Sequence, residues 1–329
     1  MALRPVALTI GDPNGIGPEI AVKAAAARAA RTVPPVVVGD RDVIGTYAAR
    51  HAAELPWHDV GAQGTVRGGA LNVLAVDALP RDDFSPGAIR ANAGAATVAY
   101  VEAALRLVRD GVAGSIVACP HSETAVNAAG IAFSGYPSLL ARLLGAPSDT
   151  IFLMLVGGGL RVVHATLHER LRDAVARLTS HLVEAAARAG VAAVEALGVQ
   201  TPRVGVMAIN PHAGENGLFG DDDDRITAPA AARLRAAGIA VDGPTGADTL
   251  LARRDCDVYV AMYHDQGHVP VKLLAPRGAA ALSVGAGVVF SSVGHGTAFD
   301  IAGRGVADPG AVLRALDIVA PALAAEPVA

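Results

Sequence analysis

The feature that most constrains this chain is a recurring pattern: a short, largely apolar run stops at a glycine or polar cluster, in several cases before an alanine-rich stretch with helical spacing. Pro5 to Ile10, Pro35 to Gly39, Ser115 to Pro120, Val204 to Ile209 and Val258 to Met262 are such runs. Unbroken apolar runs describe strands covered on both faces, and strands that alternate with helices build parallel sheets with helical crossovers. The spacing predicts helices over Ile20 to Ala30, Ala93 to Asp110 and Arg170 to Gly190. It predicts further strands over Ile151 to Val156 and Arg161 to Leu167, joined by a turn at Gly157 to Gly159. The fold class is α/β, and in such folds the chemistry gathers on the loops that leave the strands.

At 329 residues and 52% hydrophobic content the chain has core enough for one large or two medium domains, which excludes a disordered protein. A net charge of −4 with no Lys/Arg-rich patch gives no field for nucleic acid, lysine occurring only at Lys23 and Lys272. No run of ~18 apolar residues predicts a membrane span, and MALRPVALTIGD lacks the cationic lead and long apolar core of a signal peptide, so the expected location is cytoplasmic. Cys119 and Cys256 sit in apolar, strand-like runs and are expected to be buried, inert thiols.

The loop Gly11 to Glu19 follows the first strand, its glycines allowing a tight turn under a ligand and its Pro18 and Glu19 opening a helix. Strand Val258 to Met262 delivers His264, Asp265 and His268. Farther on, Gly294, Gly296, Gly303 and Gly305 surround His295, Thr297, Asp300 and Arg304, a backbone able to approach a phosphate closely. His168, His212 and His264 each follow a predicted strand. Three neutral imidazoles with an open position suit zinc or another borderline divalent ion, which can polarise an alcohol or carbonyl oxygen. His164, His181 and His268 read as structural, and Asp221 to Asp224 as a solvated loop, because a hard-cation site needs alternating ligands and turn glycines.

The segments GDPNGIGPE, NPHAGENGLFG, GADTL, AMYHDQGHVPVK and SVGHGTAFDIAGRGVADP resemble, in order and across nearly the whole chain, the 4-hydroxythreonine-4-phosphate dehydrogenase family. The last is also similar to the HGTA/DIAG loop of isopropylmalate and isocitrate dehydrogenases. The resemblance implies two α/β/α domains with a cleft between them: 1–115 with 283–329 for the cofactor, and 116–282 for substrate, metal and dimer interface. It implies NAD or NADP, a divalent metal such as zinc, and a homodimer whose active site is shared across subunits. Metal ligands then fall on His168, His212 and His264, the third reaching into the partner's site. The family's substrate-binding Asp and Lys fall on Asp248 and Lys272 and the acid beside the third histidine on Asp265; these three are the expected catalytic residues, and cofactor contacts are expected at Asp12, Gly15, Gly294, His295, Gly296, Thr297, Asp300 and Asp308.

Departures from the family pattern bear on the substrate. Tyr136-Pro137 stands where the family has a phosphate-binding His-Thr pair, Ala281 and Phe290 where it has Asn and Arg, and Glu123 where it has Lys. A phosphate dianion needs several charge-assisted donors to leave water, and burying it against such residues costs several kcal/mol. ACPHSETAVNAAGIAFSGYPSLLARLLG and FLMLVGGGLRVVHATLHE instead resemble the family's terephthalate dihydrodiol dehydrogenase branch. That resemblance implies oxidative decarboxylation of 1,2-dihydroxy-3,5-cyclohexadiene-1,4-dicarboxylate to protocatechuate. Tyr136, Pro137, Ser138, Lys272, Ala281, Ser283 and Phe290 would then meet the substrate, with Ser291 and Ser292 as further donors. The rival readings are a phosphorylated hydroxythreonine or sugar-acid substrate, an acyl transfer enzyme resembling phosphate acetyltransferases, and a non-catalytic sensor.

Overall fold

A computed structural model describes residues 4–61, 64–133, 135–276, 279–293 and 296–320. The chain divides into two compact units, Met1–Tyr136 with Val288–Ala329, and Pro137–Gly287. The sequence places these divisions at 115 and 282; the second is close, but the first falls before β5 and α4, which belong to the first unit.

The first unit opens with β1 (Val6–Thr9), α1 (Gly17–Ala27), β2 (Val36–Gly39), α2 (Arg41–His51), β3 (Trp57–Asp59), β4 (Leu71–Ala75), α3 (Ala91–Arg109), β5 (Ser115–Ala118) and α4 (Glu123–Ala128). Every residue of β1, β2 and β5 is buried, as their unbroken apolar runs require. Helix α1 starts as expected, with Pro18 in the first turn, where a missing N–H costs nothing, and Glu19 beside it. Gly94 lets α3 lie against α4, because a Cβ there would stand 2.2 Å from the Ala125 carbonyl.

The second unit runs through α5 (Tyr136–Leu144), β6 (Phe152–Gly157), β7 (Leu160–His164), α6 (Leu171–Arg177), α7 (Ser180–Ala196), β8 (Arg203–Met207), α8 (Ala228–Ala236), β9 (Ala240–Thr245), α9 (Ala247–Arg253), β10 (Val258–Ala261), α10 (His264–Leu274) and β11 (Ala280–Gly285). The chain then returns to the first unit with β12 (Val288–Ser292) and α11 (Gly310–Val319). The single helix expected over Arg170 to Gly190 is two. Thr179 interrupts it as an extended N-cap whose hydroxyl accepts from the Leu182 N–H at 3.1 Å, a local hydrogen bond that hydrophobic spacing does not reveal.

The first unit's strands lie in the order β3-β4-β2-β1-β5-β12, all parallel. The second unit's order is β11-β6-β7-β10-β8-β9, and here the expectation of parallel sheets fails, because β6 runs antiparallel to both β11 and β7. Gly158 and Gly159, with φ of 59° and 79°, close a two-residue hairpin that only glycine-like conformations allow. Among the described residues no helix is long and apolar enough to cross a membrane.

In the first unit the chain winds outward from β1 in both directions, so the carboxyl ends of β1 and β5 flank a topological switch point, where open α/β sheets bind ligands. The Gly-rich loop sits there: Gly11 (φ 67°) has no room for a Cβ, which would meet the Pro120 carbonyl at 2.2 Å, and the Asp12 N–H donates to that carbonyl at 2.9 Å. Glu19, fully buried, accepts from the backbone N–H groups of Gly305 (3.1 Å) and Ala307 (2.8 Å). Lys23 donates to Glu19 (2.7 Å) and to the same two residues' carbonyls. One ion pair thus sews the loop before α11 onto α1. Glu19→Ala, which strands Lys23 among carbonyls, is expected to cost about 3 kcal/mol in denaturant unfolding. A loss below about 1 kcal/mol would show that the 305–307 loop holds itself.

Candidate active site

In the second unit, β7 and β10 pair in parallel register, with Ala261 opposite His164. Helix α10 begins three residues past Ala261 and turns its buried Gly267 and Val271 toward the sheet, Val271 joining the core of Leu155, Val162 and Tyr259. His264 and His268 therefore rise one turn apart beside that face. The His264 ring stacks on His268, centroids 3.8 Å apart and planes 12° apart. His268 Nδ1 lies 3.0 Å from Nε2 of buried His164, whose Nδ1 lies 3.1 Å from the Leu153 carbonyl. His264 Nδ1 meets the Asp265 carboxylate at 2.6 Å, and the His168 ring centroid is 5.4 Å from that of His264. His168, Glu169, Leu171, Tyr263, His264 and Asp265 line a depression of about 290 Å³. Gln266 fixes the start of α10 by accepting from the Met262 N–H (2.7 Å) and donating to the Ala208 carbonyl beyond β8 (2.8 Å).

Burial, helped by His268, lowers His164 from the ordinary imidazole value of 6.5 to about 3. Burial, helped by His264, lowers His268 to about 4. Both are neutral near pH 7. The sequence leaves these two histidines as structural, and the structure places them against His264. Only the i, i+4 spacing of His264 and His268 announced the contact.

The third expected ligand stands on a strained loop. His212, Ala213, Glu215 and Asn216 all have left-handed backbone, with φ between 45° and 56°, roughly 1 kcal/mol or more for each non-glycine residue. His212 Nδ1 meets the Glu215 carboxylate at 2.7 Å. Asp223 secures the loop, and its place corrects the expectation of a solvated Asp221 to Asp224 run. It is buried and accepts from Ile209 N–H (2.8 Å), Asn210 N–H (2.9 Å) and the Thr227 hydroxyl (2.6 Å). Asp222 accepts from Asn210 Nδ2 at 2.9 Å.

Among the described residues, one trio of ligating side chains has donor atoms within 4.8 Å of one another: Asp242, Asp255 and Cys256. Arg203 and Arg253 already bind Asp242, which leaves that trio little charge for a cation. Cys256 is half-buried just before β10, not within a strand as its sequence suggests, and burial pushes its thiol up to about 11. Cys119 is the buried thiol expected.

Asp248 and Lys272 are exposed on α9 and α10. Ala281 and Ser283 lie on β11 opposite Leu155 and Leu153, Pro137 is half-buried at the start of α5, and Ser138 is exposed beside it. In the first unit Tyr136 and Phe290 pack on each other with centroids 4.4 Å apart, only 6% and 1% exposed. His121 and Phe133 complete this ring cluster, each within 6 Å of Tyr136. The Tyr136 hydroxyl and His121 Nε2 are buried there without a hydrogen-bond partner, as is Ser291 Oγ, next to Phe290 on β12. His121 follows strand Ser115 to Pro120 in the sequence, a position where polar residues leaving a strand suggest a site, but its place in a ring cluster was not foreseen. Ser292 is half-buried at the end of β12.

The expected cofactor loops meet in the same unit. Ile16 N–H donates to the Thr297 carbonyl at 2.9 Å, and a Cβ on Gly15 would touch Thr297 at 3.0 Å. Asp12 is buried, its Oδ1 accepting from Asn14 N–H and its Oδ2 unpartnered, and burial raises it to about 6. Gly296, Asp300 and Asp308 are exposed. Gly294 and His295 lie outside the described residues.

Comparison with known proteins adds independent findings. The sequence profile of the pyridoxal phosphate biosynthetic protein PdxA matches residues 31–319. A 1,2-dihydroxy-3,5-cyclohexadiene-1,4-dicarboxylate dehydrogenase of Comamonas is 51% identical over 96% of this chain and 97% of its own. The crystal structure of a terephthalate 1,2-cis-dihydrodiol dehydrogenase from Burkholderia xenovorans superposes with a TM-score of 0.84 at 53% identity, covering 97% and 98% of the two chains. That of a 4-hydroxythreonine-4-phosphate dehydrogenase from Burkholderia phymatum gives 0.87 at 37% identity, covering 97% and 98%.

Tyr136→Phe removes a buried hydroxyl that has no partner, so stability is expected to stay within about 1 kcal/mol of the parent or to rise. A larger loss in denaturant unfolding would reveal a bond to that oxygen. The histidine pair sets a pH dependence in metal-free protein. Because both folded values lie below the unfolded value of 6.5, the unfolded chain takes up protons first on acidification. Their contribution is complete above pH 6.5 and is lost as pH falls toward about 4, at about 1.4 kcal/mol per pH unit per proton. Asp12, raised instead, opposes this trend below pH about 6. His268→Asn should flatten the slope between pH 6 and 5 by about one proton, and an unchanged slope would show that His268 titrates alike in both states.

Proposed function

The chain belongs to the family of the pyridoxal phosphate biosynthetic protein PdxA, and from that membership we propose that it is an NAD-linked, metal-dependent dehydrogenase of a ring diol carboxylate. The substrate is 1,2-dihydroxy-3,5-cyclohexadiene-1,4-dicarboxylate, oxidised and decarboxylated to protocatechuate, CO₂ and NADH. One observation carries the choice of substrate. Tyr136 and Phe290, which replace phosphate-binding groups of the family pattern, pack ring on ring. Seating a phosphate dianion there would strip its hydration for several kcal/mol without supplying a cation in return. A conjugated ring with a second carboxylate makes a smaller demand.

The histidines fit a divalent cation. His264 and His212 each hold a carboxylate on Nδ1, Asp265 at 2.6 Å and Glu215 at 2.7 Å, which leaves Nε2 for a ligand in the arrangement that ligating imidazoles adopt. With His168 they form the proposed set. Their donor atoms do not converge within one protomer, in keeping with a homodimer that completes the site. Val269 and Leu273, 50% and 76% exposed on the outer side of α10, supply apolar surface for such an interface. The cofactor loops fit a dinucleotide, with a glycine-rich turn at the switch point and exposed Asp300 and Asp308 able to accept from ribose hydroxyls.

When bound, the divalent ion would supply an electrophile for the alcohol oxygen and NAD⁺ an acceptor for the hydride of the carbon that bears that oxygen. Asp265 is 76% exposed and spends one oxygen on His264, so its second oxygen is open to the substrate's secondary hydroxyl proton, with Asp248 as the other candidate base. The ketone so formed is β to the C1 carboxylate. Cleavage of that bond releases CO₂ and sends its electron pair to the ketone oxygen, where Lys272, two turns along α10 from His264, provides the proton. The product enol is a phenol, and aromatisation drives the step.

Turnover of the diol by purified protein with NAD⁺ and a divalent metal should exceed that of 4-phosphohydroxythreonine by at least about a hundredfold in kcat/KM, a difference of about 2.7 kcal/mol in transition-state stabilisation. Comparable turnover of the phosphate ester would defeat the reading of the ring cluster.

A further inference from the structure

His164 and His268, which no step above uses, have hydrogen bonds that allow one arrangement of protons. The Leu153 carbonyl can only accept, so His164 donates to it from Nδ1 at 3.1 Å and, as a neutral ring, presents a bare Nε2. That nitrogen lies 3.0 Å from His268 Nδ1, which must donate in turn and shares its proton with the His264 carbonyl at 3.2 Å. His268 is thereby fixed in rotation and tautomer, and its ring lies flat on His264, 3.8 Å between centroids. The residue between them is committed as well. A Cβ on Gly267 would fall 2.3 Å from His164 Nε2, so only glycine leaves the chain of bonds intact. Two apolar side chains would fill this space without aligned donors, so packing alone does not account for the pair.

We propose that His268 is a positioning residue for His264, and that His164 is its anchor. Together they hold the His264 imidazole in the orientation in which Asp265 occupies Nδ1 and Nε2 is left to a ligand, the ligand being a borderline divalent cation. The inference rests on the assignment of His264 as a metal ligand. Outer groups that orient a ligating histidine typically change metal affinity by 10- to 100-fold.

The test is equilibrium titration of the chelator-stripped, full-length protein with Co²⁺, read by its visible absorption, with folding followed by circular dichroism. His268→Leu alters a half-buried residue, and Gly267→Ala raises helix propensity while displacing His164, so the test does not hang on fully buried His164 alone. His268→Leu, His164→Leu and Gly267→Ala are each expected to weaken Co²⁺ binding roughly tenfold or more and to alter its spectrum. The double variant His164→Leu/His268→Leu should be no weaker than either single one, because the two act as a unit. Parent-like affinity and spectrum in His268→Leu and Gly267→Ala, with binding lost in His264→Ala, would overturn the positioning role and leave the ligand assignment standing. Parent-like affinity in His264→Ala would remove the assignment itself. Additive losses in the double variant would show that His164 does not work through His268.

Discussion

The second unit depends on the parallel register of β7 and β10. Because Ala261 lies opposite His164, the helix that starts three residues later lays its first two turns over the end of β7. A slip of one residue would turn His164 to the other face of the sheet and leave His268 without a partner. Gly267 and Val271 fix the rotation of α10 about its own axis by seeking the sheet, and the histidines one position away follow. Precision at the imidazoles is therefore inherited from strand pairing and apolar burial, and not from long-range charge.

The two candidate ligand loops are stabilised by opposite means. Around His264 the backbone is helical; His164 and His268 share a single hydrogen bond, and His268 stacks on His264. Around His212 the backbone is strained, four residues being left-handed, and a buried carboxylate, Asp223, draws two backbone N–H groups to itself. A charged acceptor makes bonds roughly twice as strong as a neutral one, which is what the strain requires. Both histidines nevertheless end alike, with Nδ1 against a carboxylate, so two unrelated local solutions present the same chemical face.

Much of this was legible from residue type and spacing. The buried runs of β1, β2, β5, β8 and β10 read directly as strands, because both faces are covered and the sequence shows it. The Gly-rich loop was legible too, since Gly11 leaves no room for a Cβ. What escaped was set by single hydrogen bonds or by contacts far apart in sequence. The break between α6 and α7 turns on one threonine hydroxyl, and a run of four aspartates looks solvated unless one knows that Asp223 meets Ile209 and Asn210. His164 and His268 are 104 residues apart; neither periodicity nor local propensity carries that information.

In the first unit a buried ring cluster stands where the resemblance to the family implies charged, phosphate-binding groups. Tyr136 and Phe290 bury each other almost completely, leaving a hydroxyl and the neighbouring His121 Nε2 without partners. Unpaired polar atoms in a ring cluster cost about 1 to 3 kcal/mol each, whereas a phosphate held by such weak donors would cost more. A ligand able to offer those two atoms an acceptor would recover part of that cost on binding. On the proposed reading, discrimination between a ring carboxylate and a phosphate ester falls to the desolvation of the anion.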